Sequence, residues 1–525
     1  MKHCTEAHGA VKFRPGWSRG VYHGEVGSPS DTMKYDKTHR IFRLSTPLIL
    51  SGLLSMVGCA GRGEAPVNDV QKTVALPALE GTKVGMIPVE TAGSSEVPKV
   101  SGVLTFRGNE SRTFHGTGPV GMVGKIAWKY PKKAMCGKSS EYGEMRVWCG
   151  TGWAGQPVVF EREGRTWVAF GAYDYNFHFL DAKTGRDILK PLPTGDIAKG
   201  MLTVDPDGYP LLYGGSRDNL YRIMSIDKGE ARVLWTLDAR SFQERKWNND
   251  WDSAALVVRD HLILTGENGR LHVVRLNRGY GRDGVKVDPQ VVWSTKGWDD
   301  ELLRSVGDER VSIESSPTMV GDVVYFANSG GLLQGWDLGP LWKGGEPRRT
   351  MRFWLGDDTD ATVVADEEGM LYVAAEVDRG TRRGRELGQL LKIDPSNKTN
   401  PVLWSIDVNK GTDSGSWATP ALWKSHAIFT TKPGEILGVD RTTGAVSWRI
   451  KIGGGTISSP SVVDDVLLQG DGAGVMRAWR LSLDREPVLM WSVKLGGNIE
   501  STAATWMGNL YVGSRDGYFY KIETK

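Results

Sequence analysis

The sequence predicts an all-β fold, an eight-bladed β-propeller with four-stranded blades that is closed by an N-terminal strand. Three observations lead to this prediction. A phrase of about 40 to 60 residues recurs along the chain, a Trp recurs at one place within it, and no stretch keeps the 3.6-residue apolar period of helices. The 525 residues include 67 Gly and 20 Trp, which suits packed strands joined by tight turns.

Each copy of the phrase has a small-residue start, an apolar strand, a second strand ending in Gly, a third strand ending near Asp, and a fourth strand. The clearest copy reads "SSPSVVDDVLLQGDGAGVMRAWRL". Repeats of this length and strand content are typical of propeller blades. The eight copies start near Gln156, Gly200, Ser253, Ser315, Ala361, Ala418, Ser458 and Ser501.

The fourth strands carry the recurring Trp, which we expect to dock against the neighbouring blade. The first copy has Leu189 in its place, and the last copy reaches Lys525 without a fourth strand. We therefore expect the strand around Trp128 to complete the last blade and close the ring, which leaves only short edges. The predicted docking residues are Trp128, Trp235, Trp293, Trp354, Trp404, Trp448 and Trp491.

Two turns suit such docking, "DAKTG" from Asp181 and "DRTTG" from Asp440, the second with Trp448 four residues after its Gly. The Asp accepts backbone hydrogen bonds, and Gly takes the left-handed conformation. The pattern resembles the tryptophan-docking motif of quinoprotein (PQQ) dehydrogenases and their non-enzymatic relatives. The segment "FRGNESRTFHGTGP" from Phe106 to Pro119 also resembles the lead-in of bacterial PQQ-like propellers.

The N-terminal part indicates targeting. Residues 1–32 are predicted to be a leader from a misassigned start, with Met33 the true start, and 33–58 a lipoprotein signal peptide of basic residues followed by a short apolar run. Its end, "MVGC", resembles a bacterial lipobox with Met56 where Leu is usual, which implies lipid attachment at Cys59. Residues 59–100 have the composition of a flexible tether, and 101–525 form the propeller. The alternative is an ordinary secretory signal that contains a Cys.

An envelope location permits disulfides. We predict a disulfide between Cys136 and Cys149, and unpaired thiols are the alternative.

The residue before each inner strand should face the central channel at one end. Three consecutive blades place acids there, and such a ring could hold Ca²⁺ or attract a cationic partner. The alternative is that these acids accept turn hydrogen bonds and face water. The candidate channel-mouth residues are Asp252, Glu314, Asp360, Trp417 and Glu500, within the series that also includes Ala154, Lys199 and Ile457.

Long connections at 238–250, 296–310 and 378–388 offer binding loops on a rigid scaffold. Tolerated surface excursions are the alternative interpretation.

Catalytic signatures are absent from the sequence. It contains no G-x-S-x-G, no H-E-x-x-H, no P-loop and no His or Cys at metal-site spacing. It also lacks the adjacent Cys pair that quinoprotein dehydrogenases use beside PQQ and Ca²⁺. We therefore expect no catalytic residue, no metal site and no cofactor.

A lipidated PQQ-like propeller is similar to the BamB family of outer-membrane assembly lipoproteins, although this chain has longer loops and a longer tether. The resemblance implies a non-catalytic outer-membrane scaffold that faces the periplasm and binds envelope proteins, such as the β-barrel assembly machinery. The formal net charge of +3 gives no case for nucleic acid. The alternatives are an extracytoplasmic ligand- or glycan-binding sensor and a PQQ-dependent oxidoreductase.

Overall fold

The structure is a computed structural model that describes residues 100–525 except 142, 153 and 154, with the backbone alone at 141. The predicted leader, signal peptide and lipid-attachment residue Cys59 lie outside the described residues, as do the tether up to residue 99 and Ala154. Within the described part of the chain, none of the helices has the length and apolarity that a membrane span requires.

Eight antiparallel sheets form the predicted eight-bladed propeller, and each blade runs from an inner strand to an outer strand. The inner strands begin two or three residues after the predicted repeat starts. From inner to outer, the strands of blade 1 are Val158–Arg162, Arg165–Ala172, Asn176–Asp181 and Asp187–Pro193, and those of blade 2 are Thr203–Val204, Leu211–Gly215, Leu220–Ser225 and Arg232–Asp238. The strands of blade 3 are Leu256–Val258, His261–Gly266, Arg270–Arg275 and Gln290–Lys296, and those of blade 4 are Thr318–Val320, Val323–Phe326, Leu332–Asp337 and Arg348–Trp354.

Blades 5 to 8 follow the same plan, and the eighth is completed by an N-terminal strand. That strand pairs with the last strand of the chain and closes the ring, as predicted. From inner to outer, the strands of blade 5 are Val364–Ala365, Leu371–Ala374, Leu390–Ile393 and Val402–Ile406, and those of blade 6 are Ala421–Trp423, His426–Thr430, Glu435–Asp440 and Val446–Lys451. The strands of blade 7 are Ser461–Val463, Val466–Gly470, Val475–Arg480 and Val488–Lys494, and those of blade 8 are Ala504–Trp506, Asn509–Gly513, Phe519–Thr524 and Gly124–Tyr130.

The connections between these strands contribute further elements. Gly102–Val103 adds a fifth strand inside blade 1, so this blade departs from the predicted four. The other elements are the hairpin Cys136–Glu141 with Glu144–Cys149, the hairpin Gly279–Gly281 with Gly284–Lys286, the short pair Glu376–Val377 with Ser414–Gly415, the helices Asp300–Val306 and Arg382–Leu387, and the 3₁₀ turns Ala239–Ser241 and Leu341–Lys343.

The alternating strand directions sort the connections onto two faces of the propeller. Connections between successive blades, and between the second and third strands of a blade, lie on what we call the top face. Turns between the first and second strands, and between the third and fourth, lie on the bottom face. The three long loops and the hairpin Cys136–Cys149 belong to the top face.

The apolar side chains of this fold are buried between neighbouring blades. The eight largest clusters of buried apolar side chains each draw on two neighbouring blades, and together they cover all eight blade interfaces. Each sheet is therefore apolar on both faces, and its packing depends on the ring being complete.

The predicted docking turns have the expected geometry. Asp181 accepts hydrogen bonds from the backbone N–H of Thr184 (2.8 Å) and from its hydroxyl (2.9 Å). Trp128, on the outer strand of blade 8, donates to the carbonyl of Ala182 in this turn of blade 1 at 3.2 Å. A Cβ on Gly185, whose φ is +66°, would lie 2.7 Å from the Trp128 ring, so this position requires Gly.

The same arrangement joins blades 5 and 6. Trp404 donates to the carbonyl of Arg441 at 3.1 Å, and a Cβ on Gly444 would lie 2.7 Å from its ring. Trp491 of blade 7 in turn donates to the carbonyl of Gly121, which leads into the closing strand of blade 8.

One predicted docking residue lies elsewhere. In blades 2, 3 and 5 to 8 the Trp stands beside an irregularity in the pairing of the third and fourth strands. In blade 4 this place is held by Met351, opposite Gly335, whereas Trp354 lies three residues further along and bonds to Gly330 of its own blade. Blade 1 has Leu189 there, as predicted. The spacing of the Trp residues led to the wrong docking residue in blade 4, because the outer strand of this blade extends beyond the docking position and carries Trp354 past it.

The segment 101–117 passes across the bottom face and through the central channel, where it bonds to all eight blades. Its backbone carbonyls accept from the N–H groups of blades 1, 2, 4 and 5, and it pairs directly with blade 8. The partners are Glu161 for Ser101, Val204 for Leu104, Met319 for Glu110, Ala365 for Ser111, and Thr505 for Gly116 and Thr117.

Three fully or almost fully buried side chains of this segment reach the remaining blades. Arg112 donates to the carbonyls of Ala254 and Pro317, and Arg107 donates to Thr419 at 2.7 Å. The Nε2 of His115 lies 2.6 Å from Arg107, and its Nδ1 contacts the backbone of Val462 in blade 7, 3.0 Å from the carbonyl oxygen and 2.9 Å from the nitrogen. Burial lowers the pKa of both guanidinium groups to about 9, which leaves them charged at neutral pH.

We expect Arg112→Met to lower the free energy of unfolding by about 3 kcal/mol or more, because several buried carbonyls would lose a charged donor. Arg112→Lys should fall between this variant and the wild type, since an ammonium cannot reach all of the carbonyls. Urea denaturation gives the measurement. Arg382→Met, at a side chain that is 86% exposed, is the control and should change stability by only about 0.5 kcal/mol. Equal stability of the two Met variants would contradict the assigned role.

Candidate functional site

A small cavity lies on the propeller axis at the top face, where the inner strands begin. Its volume is about 20 Å³, enough for about one water molecule. Below it the channel is filled by the N-terminal segment, which contributes Phe106 to the wall. The lining residues come from this segment and from blades 2 to 7: Phe106, Met201, Asp252, Glu314, Asp360, Thr362, Trp417, Thr419 and Ile457.

Four of the five predicted channel-mouth residues meet in this cavity, Asp252, Glu314, Asp360 and Trp417. Glu500 is not in its lining, and its carboxylate accepts from Arg515 at 3.1 Å. Asp252 is only 3% exposed, so it does not face water as the alternative interpretation required.

Asp252 belongs to a buried network of charges. The Lys199 ammonium lies 2.7 Å from Asp252, 3.1 Å from Glu267 and 3.7 Å from Asp250. The Nε of Arg217 lies 2.6 Å from the same oxygen of Asp250 that faces Lys199. Three buried carboxylates thus share two cations, which is the compensation that buried charges need.

The pKa values of these groups move apart. Burial raises the pKa of Asp252 far above its ordinary value, and burial and the nearby Glu267 raise that of Asp250 to about 7. Burial works to raise the pKa of Glu267, but Lys199, the hydrogen bond with Asp252 and Arg217 together outweigh it, so the pKa is lowered. The three carboxylates raise the pKa of Lys199 against the opposing effect of burial. The network therefore makes Asp252 easier to protonate than Glu267, while it favours the charged form of Lys199.

Two groups of three carboxylates have oxygens within 4.8 Å of one another, Asp252 with Glu267 and Glu314, and Asp358 with Asp360 and Glu376. In the first group the Lys199 ammonium already supplies the positive charge. The second group offers the oxygen ligands that hard divalent cations prefer and could hold one.

The ring of Trp417 is covered. The Lys432 ammonium lies 3.5 Å from the ring centre, and Trp417 is only 8% exposed. A cation–π contact thus occupies the face on which a sugar would stack.

The hairpin Cys136–Cys149 folds across the top face, with a disulfide between these two Cys at its base. On its inner side, Ser139 accepts from Arg217 at 3.3 Å and so borders the charge network, while Trp148 is buried against Tyr173. On its outer side Met145 and Val147 are 65% and 63% exposed.

The long loops of the top face are braced against one another. Lys246 of the first loop pairs with Glu309 of the second. Arg379 of the third loop pairs with Asp308 at 3.1 Å and donates to the carbonyl of Arg310 at 2.7 Å. The top face of blades 2 to 5 is therefore one connected surface.

Sequence reasoning missed the cationic part of the site. Lys199 stood in the predicted series but was not selected, and Glu267 and Arg217 were not considered. Glu267 follows the second strand of blade 3, and Arg217 follows the second strand of blade 2. The Gly that ends each of these strands, Gly266 and Gly215, was the sequence signal that could have located them. The flanking residues Trp251 and Trp298 are buried in apolar clusters and do not reach the cavity.

Comparisons with known proteins bear on the fold alone. No protein-family model matches the chain, and no curated protein matches it. Among solved structures, the quinohemoprotein alcohol dehydrogenase of Comamonas testosteroni is 12% identical with a TM-score of 0.53, over 82% of this chain and 81% of that one. Saccharomyces cerevisiae Sqt1 is 10% identical with a TM-score of 0.50, over 68% and 92%. BamB from Moraxella catarrhalis is 13% identical over 76% and 100%, with a TM-score of 0.38. The chain shares the fold of the first two of these proteins.

A quinone cofactor does not fit the channel. Sites for small molecules take about 300 Å³ or more, whereas the cavity has about 20 Å³. The space below it is filled by the buried side chains of Arg107, Arg112 and His115.

The acids of the cavity make stability depend on pH. Burial and the neighbouring Asp360 raise the pKa of Glu314 well above 4.5, so the folded state holds this proton more tightly than the unfolded state. The free energy of unfolding therefore falls as the pH rises above about 4.5 through the raised value. We expect Glu314→Gln to reduce this fall and to be more stable than the wild type at pH 8, with little difference at pH 4.

Urea denaturation at a series of pH values measures the effect. Glu386→Gln, on the exposed helix Arg382–Leu387, is the control and should keep the pH profile of the wild type. A Glu314→Gln profile parallel to that of the wild type would show that this carboxyl does not control the pH dependence.

Proposed function

We propose that this protein is a non-catalytic, lipid-anchored propeller of the cell envelope that binds other envelope proteins through its top face. Assembly of outer-membrane β-barrel proteins is the process that the sequence resemblance favours. The protein would be held at the periplasmic side of the outer membrane through Cys59.

The observation that carries the proposal is the occupied channel. A propeller enzyme of the quinoprotein type uses the space on its axis for a cofactor, and here the chain's own segment 101–117 fills that space. Loops on a rigid scaffold are the remaining places for specific binding. The longest loops lie together on the top face of blades 2 to 5 and are braced by ion pairs.

The top face also carries side chains suited to a protein interface. Trp247 is 46% exposed in the loop before blade 3, and its φ of +68° is uncommon for a bulky residue. Exposed Trp side chains are enriched among residues that dominate binding energy. Met145 and Val147 on the hairpin add a second apolar group on this face.

The competing hypotheses have less support from the geometry. A glycan-binding site at the channel mouth would need an open aromatic face there, but Lys432 covers Trp417. A PQQ-dependent oxidoreductase would need room for the cofactor, but the cavity has about 20 Å³.

We expect crosslinking of the full-length protein in its native membranes, followed by mass spectrometry, to capture a β-barrel insertase and its accessory lipoproteins. Trp247→Ala should reduce the recovered partner about tenfold or more, because a central interface Trp contributes on the order of 2 kcal/mol. Tyr280→Ala is the matched control, since Tyr280 is 64% exposed on the bottom face. It should leave recovery unchanged.

Capture without any insertase would overturn the role in outer-membrane assembly. Equal recovery with Trp247→Ala and Tyr280→Ala would overturn the top face as the binding surface.

A further inference from the structure

Exposed apolar side chains are concentrated at the bottom of blades 7 and 8. Met122, Val123, Leu483, Val488 and Met507 are between 53% and 62% exposed. We call these five residues the rim patch. They come from three places in the chain: the approach to the closing strand, the turn before the outer strand of blade 7, and the first turn of blade 8.

Contacts connect the three parts of the chain that carry the patch. The Arg480 side chain reaches the Met122 sulfur, and Arg480 pairs with Val488 in the sheet of blade 7. On the other side, Val123 exchanges backbone hydrogen bonds with Lys525, the neighbour of Thr524.

The connection continues to the first turn of blade 8. The Thr524 hydroxyl accepts from the N–H of Gly121 and donates to the carbonyl of Gly508, which follows Met507. Hydrogen bonds and sheet pairing thus connect the members of the patch.

The rim patch differs from the exposed apolar side chains that recur on the outer strands of several blades. Val233, Val291, Leu403, Val446 and Leu489 are also exposed, but each lies one or two residues before a Trp of an outer strand. They are spread around the rim, one to a blade. Among the described residues, blade 3 exposes one large side chain on a bottom turn, Tyr280, whereas blades 7 and 8 together expose the five of the rim patch.

The described chain enters the propeller beside this patch. Ser101 bonds to Glu161 at the bottom end of the inner strand of blade 1. The Glu161 carboxylate accepts from Trp506 of blade 8 at 2.7 Å, and Trp506 precedes Met507. The predicted anchor at Cys59 is about forty residues before this point, a reach of about 35 Å for a flexible chain. An anchored propeller could therefore bring its bottom face to the bilayer.

We propose that the rim patch docks on the lipid bilayer, with its aliphatic side chains in the interfacial region and the top face directed away from the membrane. The inference rests on the lipid anchor of the proposed function. The charged residues around the patch are mixed, with Arg485 and Lys525 beside Asp484 and Glu486. Apolar insertion therefore drives the docking, and anionic head groups contribute little.

The test uses the full-length protein isolated from its native membranes and reconstituted into phosphatidylcholine vesicles that contain a lipid with a photoactivatable diazirine on its acyl chain. Peptide mapping by mass spectrometry should find lipid adducts at 122–123, 483–488 and 507. The double variant Val123→Asp, Val488→Asp should lower the adduct yield at these sites about tenfold, because two aliphatic anchors are lost. Adding phosphatidylglycerol should leave the wild-type yield unchanged.

The double variant Met145→Asp, Val147→Asp, which changes equally exposed side chains on the top face, is the matched control and should keep the wild-type yield. Adducts restricted to the N-terminal peptide, or found equally on the top face, would overturn the docking. Patch residues that crosslink in native membranes to a protein and not to lipid would do so as well. The same spectra show whether the N-terminal peptide carries acyl chains, so a failure of the anchor is distinguishable from a failure of the docking.

Discussion

The hydrogen bonding of one segment, 101–117, to all eight blades is the interaction on which the rest of the structure depends. Inner strands converge on an axis that their own side chains do not fill, and they leave backbone groups there that need partners. The segment supplies those partners and the buried side chains of Arg107, Arg112 and His115. The same stretch of chain then continues into the outer strand of blade 8 and joins the two ends of the ring.

Ring closure matters because burial in this fold takes place between blades. Each of the eight apolar clusters needs both neighbours, so an open ring would expose two of the faces that the closed ring buries. Trp128 and Trp404 of the outer strands add polar contacts at the rim, where their N–H groups bond to the turn of the next blade. Blade 4 replaces the docking Trp by Met351 and keeps its place in the ring, so no single contact is indispensable.

The filled channel also changes what acidic residues at its mouth can do. In an open channel they would be hydrated or would hold a ligand. Here Asp252 and Glu267 are buried above the segment, and Lys199 neutralises them from within the protein. The charges of the site are thus largely compensated from within the protein.

The sequence by itself determined the repeat, the number of blades and the identity of the closing strand, because blades repeat locally and turns such as Asp181–Gly185 have a recognisable chemistry. It also indicated which residues stand at the channel mouth, since the start of each inner strand is a fixed place in the repeat. The tertiary structure alone decided what those residues contact. Lys199 and Arg217 belong to blade 2 and Glu267 to blade 3, and only the packing of the two blades brings Lys199 and Glu267 within ion-pair distance. The role of 101–117 was likewise undetermined by sequence, because its partners are backbone groups of every blade, and backbone groups leave no pattern in the side chains.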